Sequence, residues 1–144
     1  MKKANLTPSA LVGQLAELLG GEWRLEGDAD GEIRFERSEG GFFLIQHIDL
    51  RVFGRQVRGM EIIGHLHRLN DRPSDEVWTR FYSFADGLTL DYVYELNGRV
   101  LTIWFMKKGS DNRYTGCFSE DGNSFEGAWA WPGGGYRVKG TRIK

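Results

Sequence analysis

The second half of the chain alternates apolar and polar residues, and turn dipeptides interrupt this alternation at short, regular intervals. Alternation with a period of two predicts strands with one buried face, and Asn-Gly or Asp-Gly between them favours tight hairpin turns. Residues 77–144 therefore predict six consecutive antiparallel strands. The turn positions are Asp86-Gly87, Asn97-Gly98, Gly109-Ser110, Asp121-Gly122 and residues 132–135.

Four more strands are predicted in the first half, which makes ten in all. They cover residues 22–26, 32–37, 42–52 and 56–69. Ten short antiparallel strands in a meander close best into an up-and-down barrel, because closure leaves no exposed strand edge. We therefore expect an all-β fold, a single antiparallel barrel forming one domain over residues 1–144, with its strands between residues 22 and 143.

A short helix is predicted before the first strand, at residues 8–19. Thr7 is a suitable N-cap, and Pro8 suits the first helical position. The helix has one apolar face, formed by Leu11, Leu15, Leu18 and Leu19. A one-sided helix ahead of an all-β chain is expected to lie across one open end of the barrel and cap it.

The turn positions also predict which side chains point inward, since directly paired residues share a face of a sheet. Turns of minimal length place Phe81 opposite Tyr92, Tyr94 opposite Leu101 and Phe118 opposite Phe125. Trp104 then falls on the outer face. The predicted interior consists of Phe81, Leu90, Tyr92, Tyr94, Leu101, Ile103, Phe105, Tyr114, Phe118, Phe125, Trp129, Trp131 and Val138.

The same argument is weaker for the strands at residues 42–69, because both of their faces are mixed. A turn at Gly54-Arg55 places Ile48 opposite Glu61, and a turn at Glu39-Gly40 places Phe35 opposite Leu44. The more apolar face carries Phe42, Leu44, Gln46, Ile48, Leu50, Val57, Glu61, Ile63, His65 and His67. Which face points inward stays open at this point.

Composition and charge narrow the range of partners. The chain has 19 Lys and Arg against 20 Asp and Glu, so no net field attracts nucleic acid.

Its single cysteine, Cys117, excludes an internal disulfide and suits a reducing compartment. No apolar run reaches the length of a membrane span. Met1-Lys2-Lys3 precedes a segment with Gln14 and Glu17 and no apolar core, so no export signal is predicted. We expect a cytoplasmic monomer or homodimer.

The tripeptide Gly21-Glu22-Trp23, between the predicted helix and the first strand, resembles the Gly-x-Trp signature of the lipocalin and calycin barrels. The resemblance implies that Trp23 closes one end of the barrel and that Arg142, in the last strand, packs over it. Residues 59–64, 80–83 and 114–116 are also similar to a small bacterial family of lipocalin-like barrels of unassigned function. Such a resemblance implies a fold and not an activity.

Polar groups inside the predicted barrel are the candidates for function. Burying a polar group unpaired costs about 1–3 kcal/mol, so such groups pair, hold water or meet a ligand. The leading hypothesis is a cavity that binds a small, mostly apolar or aromatic molecule, with no cofactor. The predicted ligand-binding residues are Gln46, Glu61, His65, Phe81, Tyr92, Tyr94, Ile103, Phe105, Tyr114 and Trp129.

Two alternatives remain open. A cofactor-free isomerase or cyclase would use Glu61, with its pKa raised by an apolar cavity, together with His65 and Tyr92. Glu61 could instead form an internal ion pair with an arginine, and a barrel filled by side chains could act as an interaction module. His65 and His67 share a strand face with Glu61, but His47 is placed on the other face, so no metal site is predicted.

Overall fold

The computed structural model describes residues 6–143, so the prediction for Met1-Lys2-Lys3 lies outside the described residues. The elements are α1 (Ala10–Leu19), β1 (Gly21–Gly27), β2 (Ala29–Arg37), a short 3-10 turn (Glu39–Gly41), β3 (Leu44–Val52), β4 (Arg55–His65), β5 (Val77–Ser83), β6 (Thr89–Asn97), β7 (Val100–Phe105), β8 (Arg113–Phe118), β9 (Ser124–Trp131) and β10 (Gly134–Arg142). None of the helical segments in this part of the chain is long and apolar enough to cross a membrane.

The ten strands form one closed antiparallel barrel. Each strand pairs with its neighbours in sequence, and β1 pairs with β10 to complete the ring. The predicted fold class, an up-and-down barrel of about ten strands with a short N-terminal helix, is confirmed. Closure leaves none of the ten strands described here with an unpaired edge.

Helix α1 starts two residues later than predicted. Ser9 is the N-cap, since its Oγ accepts a hydrogen bond from the backbone N–H of Val12 at 3.2 Å. The predicted cap at Thr7 is therefore wrong. The helix buries Val12, Leu15, Ala16 and Leu19, whereas Leu11 is exposed. The leucine pattern predicted the helix and its approximate face, but the face is rotated toward Val12.

Most predicted cross-strand pairs are offset by two residues. Phe118 lies opposite Phe125 as predicted, but Phe81 lies opposite Leu90 and Tyr94 opposite Ile103. The β5–β6 connection is longer than two residues, and the β6–β7 turn is centred one residue later. A shift of two preserves the side on which each residue lies. All thirteen residues of the predicted interior consequently line the inside of the barrel.

The first half shows the same offset. Glu61 lies opposite Gln46, and Ile48 lies opposite Gly59, because the β3–β4 turn is Phe53-Gly54. The predicted pairs of Ile48 with Glu61 and Phe35 with Leu44 are wrong. The face that carries Gln46 and Glu61 points inward.

Trp104 lies on the outer face, as predicted, and yet it is largely buried there. Its cross-strand neighbours are Val93 and Arg113, and the Lys108 ammonium lies 5.9 Å from its ring centroid. Its indole N–H has no hydrogen-bond partner among the described residues. The outer wall therefore carries a small apolar patch of its own at β6 and β7.

Trp23 and Arg142 meet at the end of the barrel that α1 covers. Trp23 is fully buried, and its Nε1–H donates to the carbonyl of Leu19 at 2.8 Å. The Arg142 guanidinium lies 4.2 Å from the Trp23 ring centroid and donates to the carbonyls of Leu18, Gly20 and Gly122. These contacts tie the end of α1 to β1 and β10 and close this end.

Candidate functional site in the barrel

A cavity of about 590 Å³ lies inside the barrel. Side chains from α1 and from all ten strands or their ends line it, and most of its lining is apolar. Cavities of roughly 300–1,000 Å³ with a few placed polar groups are the usual size and composition of small-molecule sites. The volume is therefore sufficient for a small organic molecule.

Glycines in the wall keep this cavity open. The phenol ring of Tyr114 lies flat over Gly116 and Gly127, and the ring of Phe125 lies over Gly140. A Cβ atom at any of these glycines would overlap the ring above it. The large rings therefore lie along the wall instead of crossing the lumen, and space remains between them.

The cavity opens at the end opposite α1. Near the helix its lining residues, such as Leu19 and Phe118, are buried. At the other end the lining residue Trp131 is 37% exposed, and Leu90 and Phe105 are partly exposed. We call this open end the mouth. It is formed by the turns β1–β2, β3–β4, β5–β6, β7–β8 and β9–β10.

A buried polar cluster interrupts the apolar lining. The buried carboxyl of Glu61 accepts a hydrogen bond from Thr79 Oγ1 at Oε2 and one from the Tyr94 hydroxyl at Oε1, both at 2.7 Å. Gln46 lies directly opposite Glu61 on β3 and also lines the cavity. We refer to Gln46, Glu61, Thr79 and Tyr94 as the Glu61 cluster.

Burial dominates the electrostatics of this cluster. It raises the pKa of Glu61, and the hydrogen bonds from Thr79 and Tyr94, which favour the ionised form, offset only part of this. Burial and the neighbouring Glu61 also raise the pKa of Tyr94 and of Tyr92. Within residues 6–143 no lysine or arginine forms an ion pair with Glu61, so the alternative of an internal ion pair with arginine is wrong.

His65 lies away from this cluster and does not line the cavity. It is at the helix end of β4, four residues and about 13 Å of extended strand from Glu61. Its Nδ1–H donates to the carbonyl of Ser74, which leaves Nε2 as an acceptor for the Ser9 hydroxyl at 2.7 Å. The predicted position of His65 beside Glu61 is wrong, because β4 carries it past the cavity to the start of α1.

His67 also lies outside the barrel interior. It is exposed, and its Nε2–H donates to the carbonyl of Asp71 at 2.7 Å. Among residues 6–143, no three His, Cys, Asp or Glu side chains are grouped in a way that could hold a metal ion.

The other predicted ligand-binding residues come together in the cavity. Tyr92 contacts Phe105 and Trp129, with ring centroids 5.6 and 5.7 Å apart, and Tyr114 lies 5.8 Å from Trp129. These rings form a continuous aromatic wall. The remaining predicted residues that line the cavity are Gln46, Glu61, Phe81, Tyr94 and Ile103.

Thr79 is the residue whose part in the cluster the sequence analysis missed. It is a polar residue at an inward position, which is the signal that could have identified it. The minimal-length turn placed Phe81 opposite Tyr92, whereas Thr79 occupies that position. The approach of Thr79 to Glu61 depends instead on the β4–β5 pairing, in which Glu61 lies opposite Phe81 and Ile63 opposite Thr79, and the irregular β4–β5 connection predicted no pairs for these strands.

Comparison with known proteins adds no family assignment: no protein-family model and no curated protein matches the chain. The closed ten-strand antiparallel barrel with its short helix is compatible with a lipocalin-like fold. A fold of this kind accommodates many functions, so functional arguments depend on the cavity itself.

Proposed function

We propose that the barrel binds a small, mostly apolar molecule that carries one polar group and presents this group to the Glu61 cluster. The observation that carries the proposal is the combination of an apolar cavity of about 590 Å³, an open mouth and one buried polar cluster. Each Å² of apolar surface removed from water contributes about 25 cal/mol, so the apolar lining would supply most of the affinity.

The Glu61 cluster would give orientation. A protonated carboxyl both donates and accepts hydrogen bonds, and the amide of Gln46 opposite it does the same. Thr79 and Tyr94 hold the carboxyl in one position through their 2.7 Å hydrogen bonds. The aromatic wall of Tyr92, Phe105 and Trp129 favours a flat or aromatic ligand body, because rings gain energy from offset and edge contacts.

Binding of the neutral, apolar fluorophore N-phenylnaphthylamine tests the proposal. Ile103 lines the cavity, and Thr102 beside it on β7 points to the other face. We expect Ile103→Trp to fill the lumen and weaken dye binding roughly tenfold or more, while the matched control Thr102→Trp binds as the parent does. Equal binding by both variants, or no binding by the parent, would refute the proposal. Native mass spectrometry would identify a molecule that copurifies.

A second candidate is a cofactor-free isomerase or cyclase acting in the same cavity. The observation that favours it is a buried Glu61 with a raised pKa at the cavity wall, a common property of general acids. Glu61 would transfer the proton, and Tyr92 would donate a hydrogen bond to the reacting molecule. Tyr94 already donates its hydroxyl proton to Glu61 and would hold that carboxyl in place, and His65 lies too far away. Turnover of a bound molecule that survives Glu61→Gln unchanged would exclude this function, even where binding persists.

We also propose that the chain is a member of the lipocalin-like barrels and acts in the cytoplasm. The Gly21-Glu22-Trp23 tripeptide, with Arg142 packed 4.2 Å over Trp23, supports the membership. The single Cys117 supports the compartment. The interaction module without a cavity is the less favoured alternative, because 590 Å³ of space remains inside the barrel.

A further inference from the structure

Large apolar side chains surround the cavity mouth. They come from four of its five turns, where polar residues and glycine are usual. We call this set the mouth rim: Phe53, Phe84, Leu88, Met106 and Trp131. Phe53, Phe84 and Met106 are 65%, 69% and 60% exposed, so most of their surface lies in water.

The backbone at two rim residues is unfavourable for the side chains it carries. Phe53 and Met106 have φ angles of 51° and 69°, a region that bulky L residues rarely adopt. Phe53 and Gly54 together form the two-residue β3–β4 turn with both φ positive, a type I′ turn in which Asn, Asp or Gly is the usual first residue. Turn chemistry therefore does not explain a phenylalanine there.

Positive charge flanks the rim. The β3–β4 hairpin, residues 51–58, holds three arginines and no acidic residue, and Lys107 follows Met106. Within residues 6–143, Arg51, Arg55 and Lys107 have no ion-pair partner.

Two of the acidic residues at this end are engaged locally. Asp28 accepts from the N–H of Arg137, and Asp86 accepts from the N–H of Leu88. Neither carboxylate, nor Asp30 opposite Arg51, comes within ion-pair distance of Arg51 or Arg55. Hydrogen bonds from Ser83 and Leu88 hold the pKa of Asp86 below its usual range, and the more distant charge of Arg55 adds to this. Exposed apolar side chains beside unpaired cations match the boundary of an anionic lipid bilayer, with its acyl chains behind phosphate groups.

The rim is continuous with the cavity. Trp131 belongs to both, and the ring of Phe53 lies 5.8 Å from that of Tyr136, which lines the cavity. We propose that the barrel docks mouth-first on an anionic phospholipid surface, with the rim in the acyl boundary and the arginines at the headgroups. Passage of an apolar ligand between bilayer and cavity would rest on the proposed function, whereas docking stands without it.

Cosedimentation with vesicles tests the docking. We expect binding to vesicles of phosphatidylcholine mixed with phosphatidylserine, and weaker binding to phosphatidylcholine alone. The key variant is Phe53→Asn, which removes a rim ring and supplies a residue that type I′ turns prefer. This variant should keep or raise the melting temperature and still reduce vesicle binding. The double variant Phe53→Asn, Phe84→Ser should bind vesicles at least about tenfold more weakly than the parent. Arg51→Gln with Arg55→Gln should reduce binding only to the anionic vesicles.

The matched control is Leu69→Ser, a 92% exposed apolar residue in the β4–β5 loop at the other end. It should bind vesicles as the parent does. Equal binding by the Phe53→Asn, Phe84→Ser variant, or an equal loss in Leu69→Ser, would overturn the proposal. The proposal would also be overturned if the parent did not bind vesicles and light scattering showed a dimer that the rim variants lose. The rim would then contact a second copy of the chain. The dye assay on the same variants reports separately on the cavity.

Discussion

The two ends of the barrel use aromatic and basic side chains in opposite ways. At the helix end Trp23 is fully buried, and its N–H and the guanidinium of Arg142 are bonded to main-chain carbonyls. At the mouth Trp131 is partly exposed, Phe53 is mostly in water, and Arg55 has no ion-pair partner among the described residues. At the helix end the polar groups of these side chains are hydrogen-bonded within the protein. At the mouth the apolar rings and the charge of Arg55 face solvent.

At the helix end, side chains of the barrel supply hydrogen bonds to the last carbonyls of α1. The last carbonyls of a helix have no partner within it. Here Trp23 donates to the carbonyl of Leu19, and Arg142 donates to those of Leu18 and Gly20. The positive charge of Arg142 also lies at the negative end of the helix dipole. The barrel thus holds α1 through the groups that the helix leaves unpaired, which makes this end a structural closure.

Loss of the buried tryptophan should have the largest effect on stability. Trp23→Ala leaves a cavity and an unpaired carbonyl at Leu19, so we expect a loss of about 3–5 kcal/mol in the free energy of unfolding. Trp131→Ala at the mouth should cost about 1 kcal/mol or less. Urea denaturation of both variants measures the difference. Similar losses in the two would contradict the division of the barrel into a closed and an open end.

A smaller effect is expected at Arg142. Arg142→Lys keeps the charge, but one ammonium cannot reach three carbonyls or lie flat on the Trp23 ring. We expect a loss of about 2–3 kcal/mol in urea denaturation. The exposed Arg137 on the same strand provides the control, since Arg137→Lys should change stability by about 0.5 kcal/mol or less. If both substitutions are neutral, the contacts of Arg142 do not secure the helix end.

Glu61, midway between the ends, should give the smallest effect and a distinctive pH dependence. Its pKa is raised in the folded state, so the folded protein holds a proton that the unfolded chain releases as the pH rises past about 4.5. Stability should therefore be highest at or below that pH and fall as the pH rises toward the folded pKa. Glu61→Gln should lack this component when unfolding is followed from pH 4 to pH 8. Parallel profiles would show that Glu61 ionises freely in the fold.

The sequence predicted the fold because its turns and its alternation are local signals. Asp121-Gly122 defined a hairpin, and Phe118 and Phe125 pair across it as expected. Elsewhere the pairing was wrong by two residues, as for Phe81, and this error moved residues along the barrel without turning them over. For the same reason, nearly all of the predicted ligand-binding residues line the cavity.

The errors lie where a residue's neighbours come from distant parts of the chain. His65 shares the strand and the face of Glu61, and only the helix and the β4–β5 loop at that end explain why it bonds to Ser9 and Ser74 instead. Thr79 reaches Glu61 because the β4–β5 pairing places it opposite Ile63, two residues from Phe81, the cross-strand partner of Glu61. Neither contact follows from spacing along one strand.

The sequence by itself determined that the chain closes into a barrel and which side chains of residues 77–144 point inward, because side-chain alternation has a period of two and depends only on local backbone geometry. Tertiary structure decided how far along the barrel each residue lies, and therefore which polar groups meet. It also decided that α1 covers one end and leaves the other open with Phe53 and Trp131 around it. Turn lengths and helix docking set those positions, and both depend on contacts between residues far apart in the chain.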